Sequence, residues 1–311
     1  CNGVLRSLRL GPGEEIVVWD HGYGAVVNTV RFVAERSGAR VVTARLPFPD
    51  PTEPAIVERL ADALAPATRI AVLDHITSAS ALALPVAAMI RTCHAAGVPV
   101  LVDGAHAPGQ VPLDLGALGA DWYVGNCHKW LMAPKGSAFL WAAPHVQRDL
   151  HPVTISHGFG RGFLAEFDWT GTRDPSAALA VPDALEFLET LGGAALRERN
   201  RALAREGTSL IARRLNTDVG APPELAGSMG VVRLPIAGPA TPERALQLRE
   251  RLLDARTDAP VSAVGDGLWM RISAQAYNEL DDYERLGDVV ARVLRDYSGA
   301  GLASGLSFST T

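Results

Sequence analysis

The stretch Val98–Gly136, VPVLVDGAHAPGQVPLDLGALGADWYVGNCHKWLMAPKG, decides the fold. It contains two strand-like apolar runs, Val98–Val102 and Trp122–Val124, and each runs out into polar side chains. The first ends at Asp103, with His106 close behind. The second ends in Asn126, Cys127, His128 and Lys129. Ligands of an open α/β sheet sit in the crevice outside the carboxyl ends of its strands. Two neighbouring strands would therefore deliver a carboxylate and an amine to one crevice. Taken singly, these residues have plainer readings. An Asp after a strand is commonly a turn or cap residue, and a Lys after His is commonly on the surface.

Outward from this stretch, residues 15–142 alternate between two patterns. Strand-like runs are EIVVW (15–19), RVVTA (40–44), RIAVLD (69–74), VPVLVD (98–103), DWYVG (121–125) and SAFLWA (137–142). Helical spacing is present near 24–36, 52–64 and 85–96. Short apolar strands separated by amphipathic segments predict an α/β fold of βαβ units with a mainly parallel sheet. Residues 2–10 read as the end of a helix stopped by Gly11-Pro12-Gly13. After a loop-rich stretch at 151–176, Val181, Ala184, Leu185 and Leu188 recur at helical spacing, and Leu196, Leu203 and Leu210 continue it. Strands are then expected near 230–236 and 268–273, with helices near 242–254 and 281–297.

The chain has 311 residues, more than one compact core usually holds. The expected division is a large domain at 1–185, a smaller C-terminal α+β domain at 186–298, and a Gly/Ser-rich, disordered tail at 299–311. With 48% hydrophobic and 20% charged residues the composition is globular. A net charge of -5 and the lack of a long basic run argue against nucleic acid as a partner. No apolar stretch is long and charge-free enough for a bilayer span, so no membrane partner is expected. No signal peptide is visible, although the chain starts at Cys1 rather than Met. Three scattered cysteines, Cys1, Cys93 and Cys127, do not make a disulfide framework, and a reducing cytoplasmic location is expected.

An amine able to form an imine, set opposite an acid able to hold a pyridinium proton, is the pair that pyridoxal phosphate (PLP) requires. The joint pattern D-G-A-H (103–106) and G-N-C-H-K-W (125–130) resembles the class V aminotransferase family of fold-type I PLP-dependent enzymes. Within that family the chain is most similar to the isopenicillin N epimerase-like group, from Asn2 to Tyr297.

The resemblance implies a set of roles. Lys129 holds the cofactor covalently and then serves as the base that moves the Cα proton. Asp103 pairs with the pyridine nitrogen and keeps it protonated, and His106 sits close to the ring and its phenolic oxygen. His128 and Asn126 reach the phosphate. Asp20-His21-Gly22-Tyr23-Gly24 follows the first strand, and either Tyr23 or His21 stacks on the ring; a tight turn with an exposed ring is the plain alternative. Thr77 and Ser78 have hydroxyls suited to the cofactor or substrate, or else cap the helix that follows. W-T-G-T-x-D (169–174) places Thr172 in a site shared across a homodimer; a simple loop is the alternative. In R-x-S-x-x-x-Y-N (271–278), Arg271 binds the substrate α-carboxylate through a bidentate fork, or forms a buried structural ion pair. Cys127 reads as a small packing residue. The family's Thr/Gly-bearing phosphate turn ahead of the first helix has no match here, so the chain is either a fragment or binds the phosphate with fewer groups.

The expected function is PLP chemistry at the α carbon of an amino acid, with epimerisation first, C–S β-elimination or transamination as alternatives, and the substrate undecided. Desulfurases of the family carry a cysteine on a loop ahead of the carboxylate-binding arginine. The matching segment here, VSAVGDGLWMRIS, has none, so no protein-bound persulfide is expected. Two other classes fit the sequence less well. Histidines after strands (His21, His75, His106, His128) suit a metal hydrolase, but no H-x-x-x-H or H-E-x-x-H occurs and no metal site is expected. A non-catalytic binding protein derived from the family fits the missing turn but not the retained Asp103, Lys129 and Arg271.

Overall fold

The computed structural model describes residues 1–303. It divides into two compact units. The first comprises Cys1–Pro47, Pro51–Ser78 and Ala83–Arg197; the second comprises Phe48–Asp50, Ala79–Leu82 and the chain from Glu198 onward.

The first unit begins with α1 (Asn2–Ser7), β1 (Glu15–Trp19), α2 (Gly24–Ser37), β2 (Arg40–Ala44), α3 (Glu53–Ala63) and β3 (Thr68–Asp74). It continues through α4 (Val86–Ala95), β4 (Val100–Asp103), α5 (Leu115–Leu118), β5 (Trp122–Asn126) and β6 (Ala138–Ala142). The helices α6 (Phe163–Asp168), α7 (Ser176–Leu179) and α8 (Val181–Thr190) follow, and α9 (Ala194–Leu215) begins there. The sheet order is β2-β1-β3-β4-β5-β6. All neighbours pair in parallel except β5 and β6, which form an antiparallel hairpin. Fully buried parallel strands are continuous apolar runs rather than alternating ones; Ile16, Val17, Val18 and Trp19 of β1 and Val100, Leu101 and Val102 of β4 are all buried. Val4 and Leu5 of α1 and Val30 and Val33 of α2 cover one face of this sheet, packed on Ile16, Val18, Ile70, Val72, Leu101 and Trp122. Truncating one such core Leu or Ile to Ala costs about 2–5 kcal/mol.

In the second unit β7 (Met229–Arg233), β8 (Val261–Val264) and β9 (Gly267–Ser273) form an antiparallel sheet in the order β7-β9-β8. The later part of α9, with α10 (Pro242–Asp254) and α11 (Leu280–Ala303), packs on it through Ile211, Leu248, Leu252, Met270, Tyr283, Val290 and Leu294. Thr241 caps α10 by accepting the Arg244 N–H, with Pro242 at the first helical position. Two short segments from earlier in the chain belong here. Asp50 N–H donates to Gly220 O at 3.1 Å, the Phe48 ring meets Trp269 edge-on at 4.7 Å, and Leu82 bridges to Ala226.

Four local differences from the sequence reading have physical causes. The change of unit falls inside α9, between Arg197 and Glu198, while residue 185 lies within the preceding helix α8. α1 stops at Ser7 and Leu8 is already extended, with φ -69 and ψ 138. β8 is hard to read from sequence because VSAV is only four residues long; it is held by pairing with β9. Residues 299–303, expected in a disordered tail, continue α11, since extending a formed helix costs far less than starting one. The rest of that tail, 304–311, lies outside the described residues.

Candidate active site

Strand order places the site. β1 lies between β2 and β3, so the chain crosses over it on leaving β2, and a crevice opens at the carboxyl ends of β1 and β3. Asp20–Tyr23 leave β1 there, and His75–Ser78 leave β3. The loops after β4 and β5 are pressed against them by glycine. A Cβ on Gly104 would overlap the ring of Tyr123, and one on Gly109, at φ +83, would overlap the backbone of Trp130. Only glycine allows both approaches. D-G-A-H-A-P-G is thus folded directly onto C-H-K-W.

The result is a cluster around Lys129. Its Nζ lies 3.4 Å from His106 Nε2 and 5.9 Å from the centroid of the Tyr23 ring. Trp130 Nε1–H donates to His106 Nδ1 at 3.2 Å, and Gln110 Nε2–H donates to the His106 carbonyl at 2.8 Å. Asp103 is 6% exposed, and its Oδ1 accepts the Ala105 N–H at 3.0 Å. Desolvation raises its carboxyl above the usual carboxylate range, while the Ala105 N–H and the charge of Lys129 pull it back down. His128 Nδ1–H donates to the Ser137 carbonyl at 2.8 Å, which fixes the ring against the β5–β6 hairpin. Asn126 closes β5 opposite Ala138. Among the strand-end histidines, His75 belongs to a different arrangement. Its Nδ1 meets Tyr123 OH at 2.7 Å, and burial lowers it to about 4.

Other expected residues are placed less centrally. His21 is buried, and desolvation lowers it below the ordinary histidine value against the opposing pull of Asp20. Tyr23 is half exposed and faces Lys129; it is the aromatic of the β1 loop for which that geometry is seen. Thr77 is fully buried and Ser78 half-buried. Thr172 is exposed in the loop between α6 and α7. Arg271 belongs to the second unit. It lies on β9 opposite Val231 of β7, and burial lowers its guanidinium, with Arg249 adding to the effect.

Two residues beside the cluster are not singled out by the sequence. One is Trp130. The other is Asp74, the last residue of β3, in register with Asp103 on the neighbouring strand. Both carboxyls are buried on one face of the sheet. Burial first, then the charge of Asp103, raises Asp74 well above its ordinary value, although it accepts the Tyr23 N–H. Of the two carboxyls, Asp74 is the more strongly raised. The available signal was RIAVLD and VPVLVD ending in Asp on consecutive parallel strands.

A stability prediction follows. A carboxyl whose folded pKa is raised keeps its full stability only below the unfolded pKa, near 4, and loses it as pH rises through the folded value. Asp74→Asn preserves the oxygen that accepts the Tyr23 N–H and removes the ionisation. The variant should be more stable than the parent at neutral pH, by about 1–3 kcal/mol. The gain should vanish toward pH 4, read from urea unfolding across that range.

Burial disfavours the thiolate at two of the three cysteines. Burial, with Asp121 nearby, pushes the Cys93 thiol up to about 12, and burial raises Cys127. The segment ahead of Arg271 is no loop. β8 and β9 form a tight hairpin turned by Gly265-Asp266, with Val264 opposite Gly267.

The aminotransferase class-V family model matches residues 1–286. The chain belongs to the class V aminotransferase family. It is 35% identical to the putative L-cysteine desulfhydrase 1 of Oryza sativa subsp. japonica, over 93% of this chain and 66% of that protein. It is 36% identical to the isopenicillin N epimerase of Streptomyces clavuligerus, over 93% of this chain and 76% of the epimerase. The chain thus spans about two thirds of the desulfhydrase's length. Among solved structures, a mutant of the cystine C–S lyase C-DES, with glycine covalently linked to its PLP cofactor, has a TM-score of 0.74 at 23% identity. That match covers 94% of this chain and 77% of the other. The family's fold-type I architecture is the one seen here, a mostly parallel sheet between helices. Among the described residues, no helix is long and apolar enough to cross a membrane.

Proposed function

We propose that this chain is a PLP-dependent enzyme acting at the α carbon of an amino acid, with epimerisation as the first reading and C–S β-elimination as the second. The observation that carries it is the buried Asp103 carboxylate beside the Lys129 amine, with His106 3.4 Å from that amine. A buried carboxylate needs a cationic partner, and a ring-nitrogen cation with an aldehyde for the amine satisfies both groups. The half-exposed face of Tyr23 adds a surface for a flat ring. The residues present fit the cofactor. Bound, PLP supplies an electron sink for the pair left when a bond at Cα breaks.

The chain's own residues do the rest. Asp103 holds the ring-nitrogen proton. Lys129 Nζ takes the Cα proton and returns it. His106 and Tyr23 orient the ring, Tyr23 being preferred over His21. His128 and Asn126 donate to the phosphate, with Thr77 and Ser78 as further hydroxyl donors. Arg271 is assigned the substrate carboxylate by the family resemblance. The first unit corresponds to the proposed large PLP-binding domain and the second to the proposed small C-terminal domain.

The desulfhydrase relative favours the elimination reading, and transamination remains the family's third outcome. Incubation with candidate amino acids in heavy water separates them. Epimerisation leaves racemised, deuterated amino acid; elimination releases a keto acid and ammonia; transamination requires a keto-acid acceptor. Persulfide on Cys1, Cys93 or Cys127 after turnover of L-cysteine would contradict the proposal that sulfur leaves without touching a protein thiol.

Assembly as a homodimer is part of the same proposal. Ile155, Phe159, Leu164, Trp169 and Leu179 are exposed along 151–179, Leu164 by 78% and Leu179 by 71%. Apolar side chains gathered on one exposed segment suit a subunit interface, and a second copy is the partner proposed. Thr172, in the same segment, would then serve the neighbouring subunit. Mixing Lys129→Ala chains with Thr172→Val chains should restore activity, since a mixed dimer keeps one intact site. A fully active monomer in solution would refute the sharing. Its three free cysteines are consistent with a reducing, cytoplasmic setting.

A further inference from the structure

Trp130 stands next to the reactive lysine, yet its indole points at His106. An indole N–H can only donate, so the Nδ1 of His106 at 3.2 Å must present a lone pair. A neutral imidazole with its lone pair at Nδ1 carries its proton at Nε2. Nε2 is the atom that faces Lys129 Nζ at 3.4 Å. An ammonium there would set two donors against each other; a neutral amine would accept the Nε2–H. The opposite tautomer would let Lys129 donate, but it would turn an Nδ1–H toward the indole N–H. The indole therefore decides which way this short chain of bonds runs. The backbone of His106 is held in place separately, by Gln110 on its carbonyl and by the packing of Gly109 on Trp130.

We propose that Trp130 is a positioning residue: it locks His106 as the Nε2–H tautomer, and the N–H so presented favours the neutral, nucleophilic amine of Lys129. This rests on Lys129 being the amine that reacts. Other groups around Nζ act on the same balance. The Asp103 carboxylate and the face of Tyr23 favour the ammonium. The device is therefore a bias set against them, and its size is read by removing the indole N–H.

The test uses the full chain before any cofactor is added. Nitrogen-15 labelling of histidine, with the His106 signals assigned by their loss in His106→Asn, reads the tautomer directly. The expected spectrum has a bare Nδ1 and a protonated Nε2 at neutral pH. Trp130→Phe keeps the ring and drops the donor, so this preference should weaken. Reductive methylation across pH, mapped by mass spectrometry, gives the second readout, with exposed Lys135 as the internal reference. The pH at which Lys129 becomes reactive should rise in Trp130→Phe by about one unit, a roughly tenfold loss of neutral amine at a given pH, while Lys135 is unchanged. An Nδ1-protonated or doubly protonated His106 in the parent chain overturns the proposal, even if Trp130→Phe does not fold. So does a variant with an unaltered tautomer or an unshifted Lys129. If the tautomer is as stated but PLP forms no adduct at Lys129, the proposed function fails and the tautomer lock stands.

Discussion

Lys129→Ala abolishes turnover and the covalent hold on the cofactor together. The parent chain, mixed with PLP, should develop a visible absorption band that borohydride fixes to the protein. The variant should bind PLP only reversibly. Lys129 both captures the cofactor and moves the Cα proton, so its removal should cost roughly ten-thousand-fold in rate, about 5 kcal/mol of barrier. Lys129 and Lys135 are the two lysines of the chain, so peptide mapping has a clear answer. Lys135 is exposed on the turn into β6. A reduced adduct on Lys135 would sink the site assignment.

Asp103→Asn is the second large effect. The amide has the shape of the acid but cannot carry the charge that keeps a ring nitrogen protonated. The electron sink weakens, and exchange of the substrate Cα proton into heavy water should slow by roughly a thousand-fold, about 4 kcal/mol. Binding of PLP should survive, since Lys129 is untouched. An unchanged exchange rate would remove Asp103 from the proposed mechanism. Asp74→Asn provides the contrast. It should leave exchange far less affected, because burial and the Asp103 charge already disfavour its ionisation, and it should act on stability.

The architecture was legible because its signal is local. EIVVW, RVVTA and PERALQLRERLLD each form the element their periodicity announces, between the residues expected. The Asp103, His106 and Lys129 cluster was readable too, since each residue ends a strand or opens the loop after it. What failed depends on register and on neighbours. Asp74 looks like an ordinary strand end until β3 is paired with β4. Trp130 looks like a packing residue until its indole is seen on His106. β8 is too short to announce itself without β9. The choice between His21 and Tyr23 turns on which ring faces Lys129, and spacing carries no such information.

The order of the strands also bears on how the site is put together in time. β3, β4, β5 and β6 are neighbours in space in the same order as in sequence, and the hairpin carrying Lys129 closes within residues 122–142. β1 is different. It must receive β3 on one side after the chain has already placed β2 on the other. Closing longer loops costs more entropy, though slowly, about 0.6 kcal/mol per doubling, and non-local pairings form later than local ones. The half of the pocket built from β4, β5 and β6 should therefore acquire amide-exchange protection in refolding before the loop that carries Tyr23. The lysine would have its carboxylate and imidazole neighbours before the aromatic ring arrives to cover them.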